Sequence, residues 1–446
     1  MKCEALKRSA LALSLVVFAA FTLPAQTVPI RTLGLEEAVQ LGIQNSKQLK
    51  ISQSKINQAL ARLDQSKDAA LPNATVGLQY LHALMLNRTV SIPGLTKEPA
   101  QLSFDFPAWL GTLSVSEPIF AGHKYKYGRE SADLMVQLSR MDADKDKEEI
   151  SYLVINSYIN YNKILQNQLV VAQNMQDIQG KLEEITKYES QGLATKNDVL
   201  RYQLQKSNLQ INILELESNR QIANYNLNVI LGLPDSTQIM LPALAYKLDE
   251  HPVFSDLLQV AETNRRELQA NAYNQKISDI NVKKIHDERL PTVSATAGAY
   301  YINPTNNPLP HDHALIAPFT LGVGASWDIA SLYKNKNKVR EAQLQSDEWK
   351  IDREQAIDDI KKDVNKAYLT YRQSLEKLKL LQDAVTQAEE NERITESKFR
   401  NNLVNTTDRI DAQTLLYQAR VNLELAKSDA TNAWFDIQHA TGKIQL

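Results

Sequence analysis

The chain has 446 residues, punctuated by only 14 glycines and 15 prolines, so the elements between them must be long. Aromatic residues make up 7% of the chain, a low share for large compact cores, and the composition therefore favours rods over globules. The formal net charge is −2 and no basic block stands out, which argues against a nucleic-acid partner.

The N-terminus has the layout of a secretory signal peptide. Lys7 and Arg8 precede an apolar run over residues 10–23, which a Pro-Ala pair follows. Residues 1–25 are therefore predicted to be cleaved on export, and Cys3 leaves with them. No later segment offers the ~18 apolar residues of a membrane-spanning helix. An exported chain of this kind could enter a membrane only as a β-barrel.

Residues 26–232 predict the order helix, strand, strand, long helix, helix. The first helix ends before Pro72, which cannot continue it. Period-two alternation then predicts two strands, ATVGLQYLHALML and GTLSVSEPIF. The intervening polar loop is expected to hold Pro107.

The long helix that follows shows a seven-residue apolar repeat, typical of a coiled coil. An ordinary amphipathic helix would drift away from a strict seven-residue repeat within a few turns. Gly192 ends the long helix, and residues 196–231 predict the returning helix of a hairpin. In the long helix, one apolar position of the repeat holds Ile150, Ile164, Val171, Ile178 and Ile185. The other holds Val154, Tyr161, Met175 and Leu182.

After a proline-marked linker, residues 233–251, the second part of the chain, 252–446, repeats this order. A helix ends at Pro291, and two strands follow, TVSATAGAYYI and FTLGVGASWDI. A second long helix with the same seven-residue repeat and a second returning helix complete it.

The two hairpin ends are nearly the same sequence. YESQGLATKNDVLRYQ begins at Tyr188 and FRNNLVNTTDRIDAQ at Phe399, and an offset of 210 aligns Leu193 with Leu403. A repeat of this length predicts two copies of one large substructure rather than a short-unit solenoid.

The strands combine an apolar face with a small or polar one. Leu113, Val115, Leu321 and Val323 are the residues predicted to face lipid. A soluble sheet could show a similar alternation. The opposite faces carry Ser114, Ser116, Gly322, Gly324, Ser326 and Asp328.

Four strands cannot close a barrel, since the smallest outer-membrane barrels have eight. Three chains would supply twelve strands. Two equivalent repeats per chain would let a threefold oligomer approximate sixfold symmetry.

These features resemble the TolC outer-membrane efflux family. The resemblance rests on SVSEPIFAGHK, on YESQGLATKNDVL and on NLVNTTDRIDAQTLLYQA, and it covers nearly the whole mature chain. It implies a mainly helical homotrimer with a small β part, in which a twelve-stranded barrel in the outer membrane continues into an α-helical barrel in the periplasm. It further implies a passive channel that docks on a periplasmic adaptor and an inner-membrane pump.

The resemblance also implies a pore constriction at Asp408 and Asp411, with Asp198 as the equivalent in the first hairpin. In isolation these carboxylates could simply favour a helix N-terminus. Family members can carry an arginine four residues before the first aspartate, as part of the bonds that hold the entrance shut, and Val404 occupies that position here. Closure would then depend on Arg409 or on packing.

No catalytic motif is found, so no enzyme activity or cofactor is predicted. The histidines are scattered except for His311 and His313, which flank Asp312 in a loop. We interpret this loop as solvated rather than as a metal site. Two alternatives stay open: a structural coiled-coil protein of the cell envelope without a pore, and a periplasmic adaptor. Adaptors carry a single hairpin, whereas this sequence predicts two.

Overall fold

The computed structural model describes residues 30–90, 100–242, 252–304 and 317–444, which are mostly helical, as predicted. The signal peptide prediction lies outside these residues. In chain order the elements are β1 (Ile30–Thr32), α1 (Leu35–Asn45), α2 (Lys47–Asp68), β2 (Asn73–Val90), β3 (Ala100–Phe120), α3 (Lys124–Ser190), α4 (Lys196–Leu231), β4 (Gln238–Met240), α5 (Phe254–Asn264), α6 (Arg266–Asp287), β5 (Thr292–Pro304), β6 (Phe319–Ser326), α7 (Ser331–Arg400) and α8 (Thr406–Ala440).

Two long helices dominate the chain. α3 runs for 67 residues and α7 for 70 without a break, and each is followed by a returning helix, α4 of 36 residues or α8 of 35. The seven-residue repeat accounts for this length, because one apolar position of α3 is filled by buried side chains over the last three repeats of the helix. These are Val171, Ile178 and Ile185, each at most 1% exposed.

The two shorter predicted helices are each divided in two, and the expectation of single helices was wrong. Ser46 separates α1 from α2, and its Oγ accepts a hydrogen bond from the Leu49 N–H at 3.2 Å, which caps α2. Arg265 separates α5 from α6, and its guanidinium donates to the His439 carbonyl at 3.4 Å. Side-chain partners, rather than a proline, mark both breaks.

The described residues fall into two compact units. The first draws on 30–49, 146–242, 252–265 and 360–444, and its core lies where α1 and the parallel pair β1–β4 pack on α3. The hydroxyl of Tyr158 donates to the Leu33 carbonyl at 2.8 Å, and that of Tyr161 to the Ile239 carbonyl at 2.9 Å. These bonds fix the two short strands, which the sequence pattern did not predict, against the long helix.

The second unit, 50–90, 100–145, 266–304 and 317–359, contains the main sheet. Its strand order is β2-β3-β5-β6, and every neighbouring pair is antiparallel. Among the described residues the outer edges of β2 and β6 have no strand beside them.

Two expectations about the strands were wrong. Pro107 lies within β3 rather than in a loop, opposite His82 of β2. β6 ends at Ser326, so Asp328 does not line a strand face. Instead, its carboxylate accepts a hydrogen bond from the Ala330 N–H at 3.1 Å at the start of α7.

Candidate functional site

The two hairpin ends in the first unit have the same backbone turn. Gly192 has φ 76° and Asn402 has φ 56°, so both occupy the left-handed region that ends a helix. Glycine adopts this conformation without strain, and asparagine is among the few other residues that tolerate it. The offset between the two turns is again 210 residues.

The next residues start the returning helices with matching capping boxes. The Thr195 hydroxyl accepts from the Asp198 N–H at 3.3 Å, and the Asp198 carboxylate accepts from the Thr195 N–H at 2.9 Å. Asn405 and Asp408 repeat the arrangement at 2.9 and 3.2 Å. Asp198 and Asp408 therefore have a structural task at the helix start, which is the simpler of the two interpretations offered by the sequence.

The three predicted constriction residues differ in their surroundings. Asp408 and Asp411 are exposed, and none of the described residues hydrogen-bonds to the Asp411 carboxylate. Asp198 is half-buried. Burial opposes its ionisation, but hydrogen bonds from Thr195 and from Thr406 of the second hairpin lower the pKa of Asp198. A constriction at these residues stays a prediction.

Arg409 lies at the centre of an ionic cluster that connects the two hairpins. Its side chain is 3% exposed, and its guanidinium donates from Nε and Nη2 to the Glu396 carboxylate of α7 at 2.7 and 2.9 Å. Nη2 also donates to Glu184 of α3 at 2.6 Å. Lys181 of α3 lies 3.6 Å from Glu396, and the Phe399 ring stacks 4.5 Å from the guanidinium. We call these residues the Arg409 cluster.

Charge balance keeps the Arg409 cluster ionised although it is buried. Burial by itself would raise the pKa of Glu396, but the hydrogen bonds and charge of Arg409, with the charge of Lys181, outweigh burial and lower that pKa. Burial also raises the pKa of the neighbouring Tyr202 to about 12, so its hydroxyl stays neutral. The Arg409 cluster therefore keeps its ion pairs between the two hairpins at neutral pH.

Sequence reasoning noted Arg409 but missed both of its partners. One signal was available: an offset of 210 places Arg409 on Val199, which is 2% exposed. A cation at a position that is buried and apolar in the other copy requires a buried counter-charge. Nothing in the local pattern says which carboxylates provide it, because Glu184 is 225 residues away.

In the second unit, the sheet register separates two kinds of side chain. The apolar rows, read across the strands, are Val76–Leu113–Ala299–Phe319 and Ala74–Val115–Ala297–Leu321. The opposite face has the rows Thr75–Ser114–Gly298–Thr320 and Asn73–Ser116–Thr296–Gly322.

The four residues predicted to meet lipid lie on the apolar face. Leu321 and Val323 are 75% and 70% exposed, so none of the described residues covers that part of the face. Contact with lipid is a prediction that this exposure does not test.

The described residues give no sign of a bound metal or of a membrane-crossing helix. No group of His, Cys, Asp and Glu among them could hold a metal ion, and the loop with His311 and His313 lies outside the described ranges. Among the described helices, none combines the length and the apolar content that crossing a bilayer requires.

Comparison with known families identifies part of the chain. Residues 257–443 match the family described as outer membrane efflux protein. The chain carries an outer membrane efflux protein domain. The resemblance inferred from the hairpin motifs is thereby confirmed. A search of curated proteins finds no match.

Solved outer-membrane proteins share the fold of this chain. VceC from Vibrio cholerae is 15% identical with a TM-score of 0.73, covering 92% of this chain and 96% of its own. CmeC from Campylobacter jejuni is 16% identical with a TM-score of 0.72, covering 92% and 85%. MtrE from Neisseria gonorrhoeae, solved in an open state, is 14% identical with a TM-score of 0.71, covering 92% and 89%. At these identities the likeness establishes the fold.

Proposed function

We propose that the chain is the outer-membrane channel of a tripartite efflux or secretion system, a passive conduit from the periplasm to the exterior. The observation that carries this proposal is the sheet, one face of which carries exposed apolar side chains and whose two outer edges are unpaired among the described residues. In lipid, unpaired backbone groups cost several kcal/mol each, so such a sheet must close with other copies. Three chains with four strands each would give a twelve-stranded barrel.

Paired aromatic side chains on the sheet also support a membrane location. Tyr80 of β2 lies opposite Trp109 of β3, with ring centroids 5.1 Å apart, and tyrosine and tryptophan are enriched at membrane interfaces.

The long hairpins would extend into the periplasm as a helical barrel and dock on an adaptor and an inner-membrane pump. A partner must supply the energy, because the sequence contains no phosphate-binding loop. The outer-membrane channels CmeC and MtrE share the fold, which supports the assignment. The matching turns at Gly192 and Asn402 support two repeats per chain and hence approximate sixfold symmetry in a trimer.

We further propose that the Arg409 cluster helps to hold the periplasmic entrance closed. Val404 leaves no cation at the position where relatives can carry one. The bond from Arg409 to Glu184 connects the two hairpins of one chain, so they cannot separate at this level unless it breaks. Asp408 and Asp411, exposed beside it, would contribute six carboxylates to the trimer's constriction.

The test is to purify the full-length protein from outer membranes in detergent and to insert it into planar bilayers. A trimer that conducts ions supports the channel. A stable monomer would refute the shared barrel and favour a structural coiled-coil protein. A non-conducting protein that binds an inner-membrane pump directly would favour an adaptor.

A further inference from the structure

Both long helices begin with the same two lysines where they leave the sheet. Lys124 and Lys126 stand in the first turn of α3, just after β3, and Lys334 and Lys336 near the start of α7, just after β6. The offset between the two pairs is once more 210 residues. We call these four residues the junction lysines.

These positions are electrostatically unfavourable for the isolated helix. A helix N-terminus carries partial positive charge and favours carboxylates, yet neither α3 nor α7 has an acidic residue in its first turn. At the start of α7, the Asp328 carboxylate, which accepts from the Ala330 N–H, offsets part of this dipole. An external anion would offset the remainder.

The junction lysines have little internal compensation. All four side chains are exposed, and Lys124, Lys334 and Lys336 have no ion-pair partner among the described residues. Lys126 is 3.9 Å from Glu130, at the limit of an ion pair. Their charge is therefore available to a partner.

The surrounding side chains are typical of a membrane interface. Between β6 and the second pair lie Trp327, Ile329 and Tyr333, which are 51%, 61% and 70% exposed. Tryptophan and tyrosine with an apolar body and a polar tip favour the headgroup level of a bilayer. The lysines follow directly on the helical side, where a long side chain can reach phosphate oxygens.

We propose that the junction lysines bind the phosphate headgroups of anionic glycerophospholipids in the periplasmic leaflet. Two steps along a helix turn it by about 200°, so each pair places one ammonium group on either side of its helix. Whichever side faces the lumen, the other lysine lies away from it. Such contacts would fix the depth at which the barrel sits. This inference rests on the membrane location in the proposed function.

The experiment measures lipid retention on the detergent-purified trimer by native mass spectrometry. Dioleoyl phosphatidylglycerol and dioleoyl phosphatidylcholine are added in equal amounts, so that only the headgroup differs. The unmodified trimer should retain the anionic lipid preferentially, by about five-fold for each lysine that meets a headgroup. The preference should weaken at high salt, since exposed charges are screened.

The variant K124Q/K126Q/K334Q/K336Q should lose the preference. The matched control, K196Q/K366Q/K379Q/K398Q, removes the same charge from exposed lysines of the first unit and should keep it. An unmodified trimer without a preference, or a junction variant that keeps one, overturns the inference while leaving the channel intact. A junction variant that only weakens the trimer would show that the lysines bind a neighbouring subunit instead. Failure to form a trimer at all would refute the proposed function.

Discussion

Glu184→Gln removes one charged contact between the hairpins and leaves those of Lys181 with Glu392 and Glu396 in place. The substitution keeps the size of the side chain and removes its charge, while Arg409 keeps its two hydrogen bonds to Glu396 at 2.7 and 2.9 Å. No buried cation is left without a counter-charge, so the loss is that of one charge-assisted hydrogen bond, roughly 1.5–3 kcal/mol. Glu184 is 32% exposed and water compensates in part, which reduces the expectation to about 1–2 kcal/mol.

If the bond breaks on opening, this energy appears directly in the gating equilibrium. A change of 1.4 kcal/mol is a factor of ten, so E184Q should raise the open-to-closed ratio about 5- to 30-fold. The measurement is single-channel recording of the reconstituted trimer in planar bilayers at neutral pH.

Glu217→Gln is the matched control. Glu217 accepts from the Arg220 guanidinium at 2.7 and 2.8 Å, but both residues belong to α4 and their bond stays within the first hairpin. E217Q should leave gating unchanged. Equal effects of E184Q and E217Q would refute the role of the bond between hairpins. So would additive effects of E184Q and R409Q, because residues that act through one bond must be coupled.

Three further predictions concern the sheet, the constriction and pH. Leu321→Lys should destabilise the inserted trimer by ~2–4 kcal/mol near the bilayer midplane, measured as the fraction of folded trimer. Gly324→Lys, where an added Cβ meets nothing within 4 Å, should cost less, and equal costs would contradict a barrel. Replacing Asp408 and Asp411 together with Asn should abolish cation preference in bilayers. Because the pKa of Glu396 is lowered, its ion pairs should stabilise closure fully above pH ~4.3 and lose that effect as pH falls through the lowered value, so recordings should show opening only in acid.

Much of the local structure could be predicted from the sequence because its causes are local. The left-handed residue and the capping box that follows it, as at Gly192 and Thr195, act within a few residues and can be recognised as a motif. The seven-residue repeat predicts long unbroken helices in the same way. Period-two alternation predicted the four main strands, although a proline inside β3 was mistaken for a loop.

The candidate site was only half predictable. The sequence pointed to Asp198 and Asp408 by motif, and their helix-capping bonds follow from that motif. The sequence could not show that Arg409 forms the buried ion pairs between the hairpins, because that depends on the burial of its side chain.

Composition, signal layout, repeat length and turn chemistry thus determined the kind of protein and the order of its elements, since each is a property of neighbouring residues. Tertiary structure alone decided which distant groups meet: the Glu184 bond of Arg409, the β1–β4 pair, and the helix break at Arg265. The physical reason is that burying a charge or an unpaired backbone group is unfavourable until a partner compensates it. That partner is selected by packing in three dimensions, which no local pattern encodes.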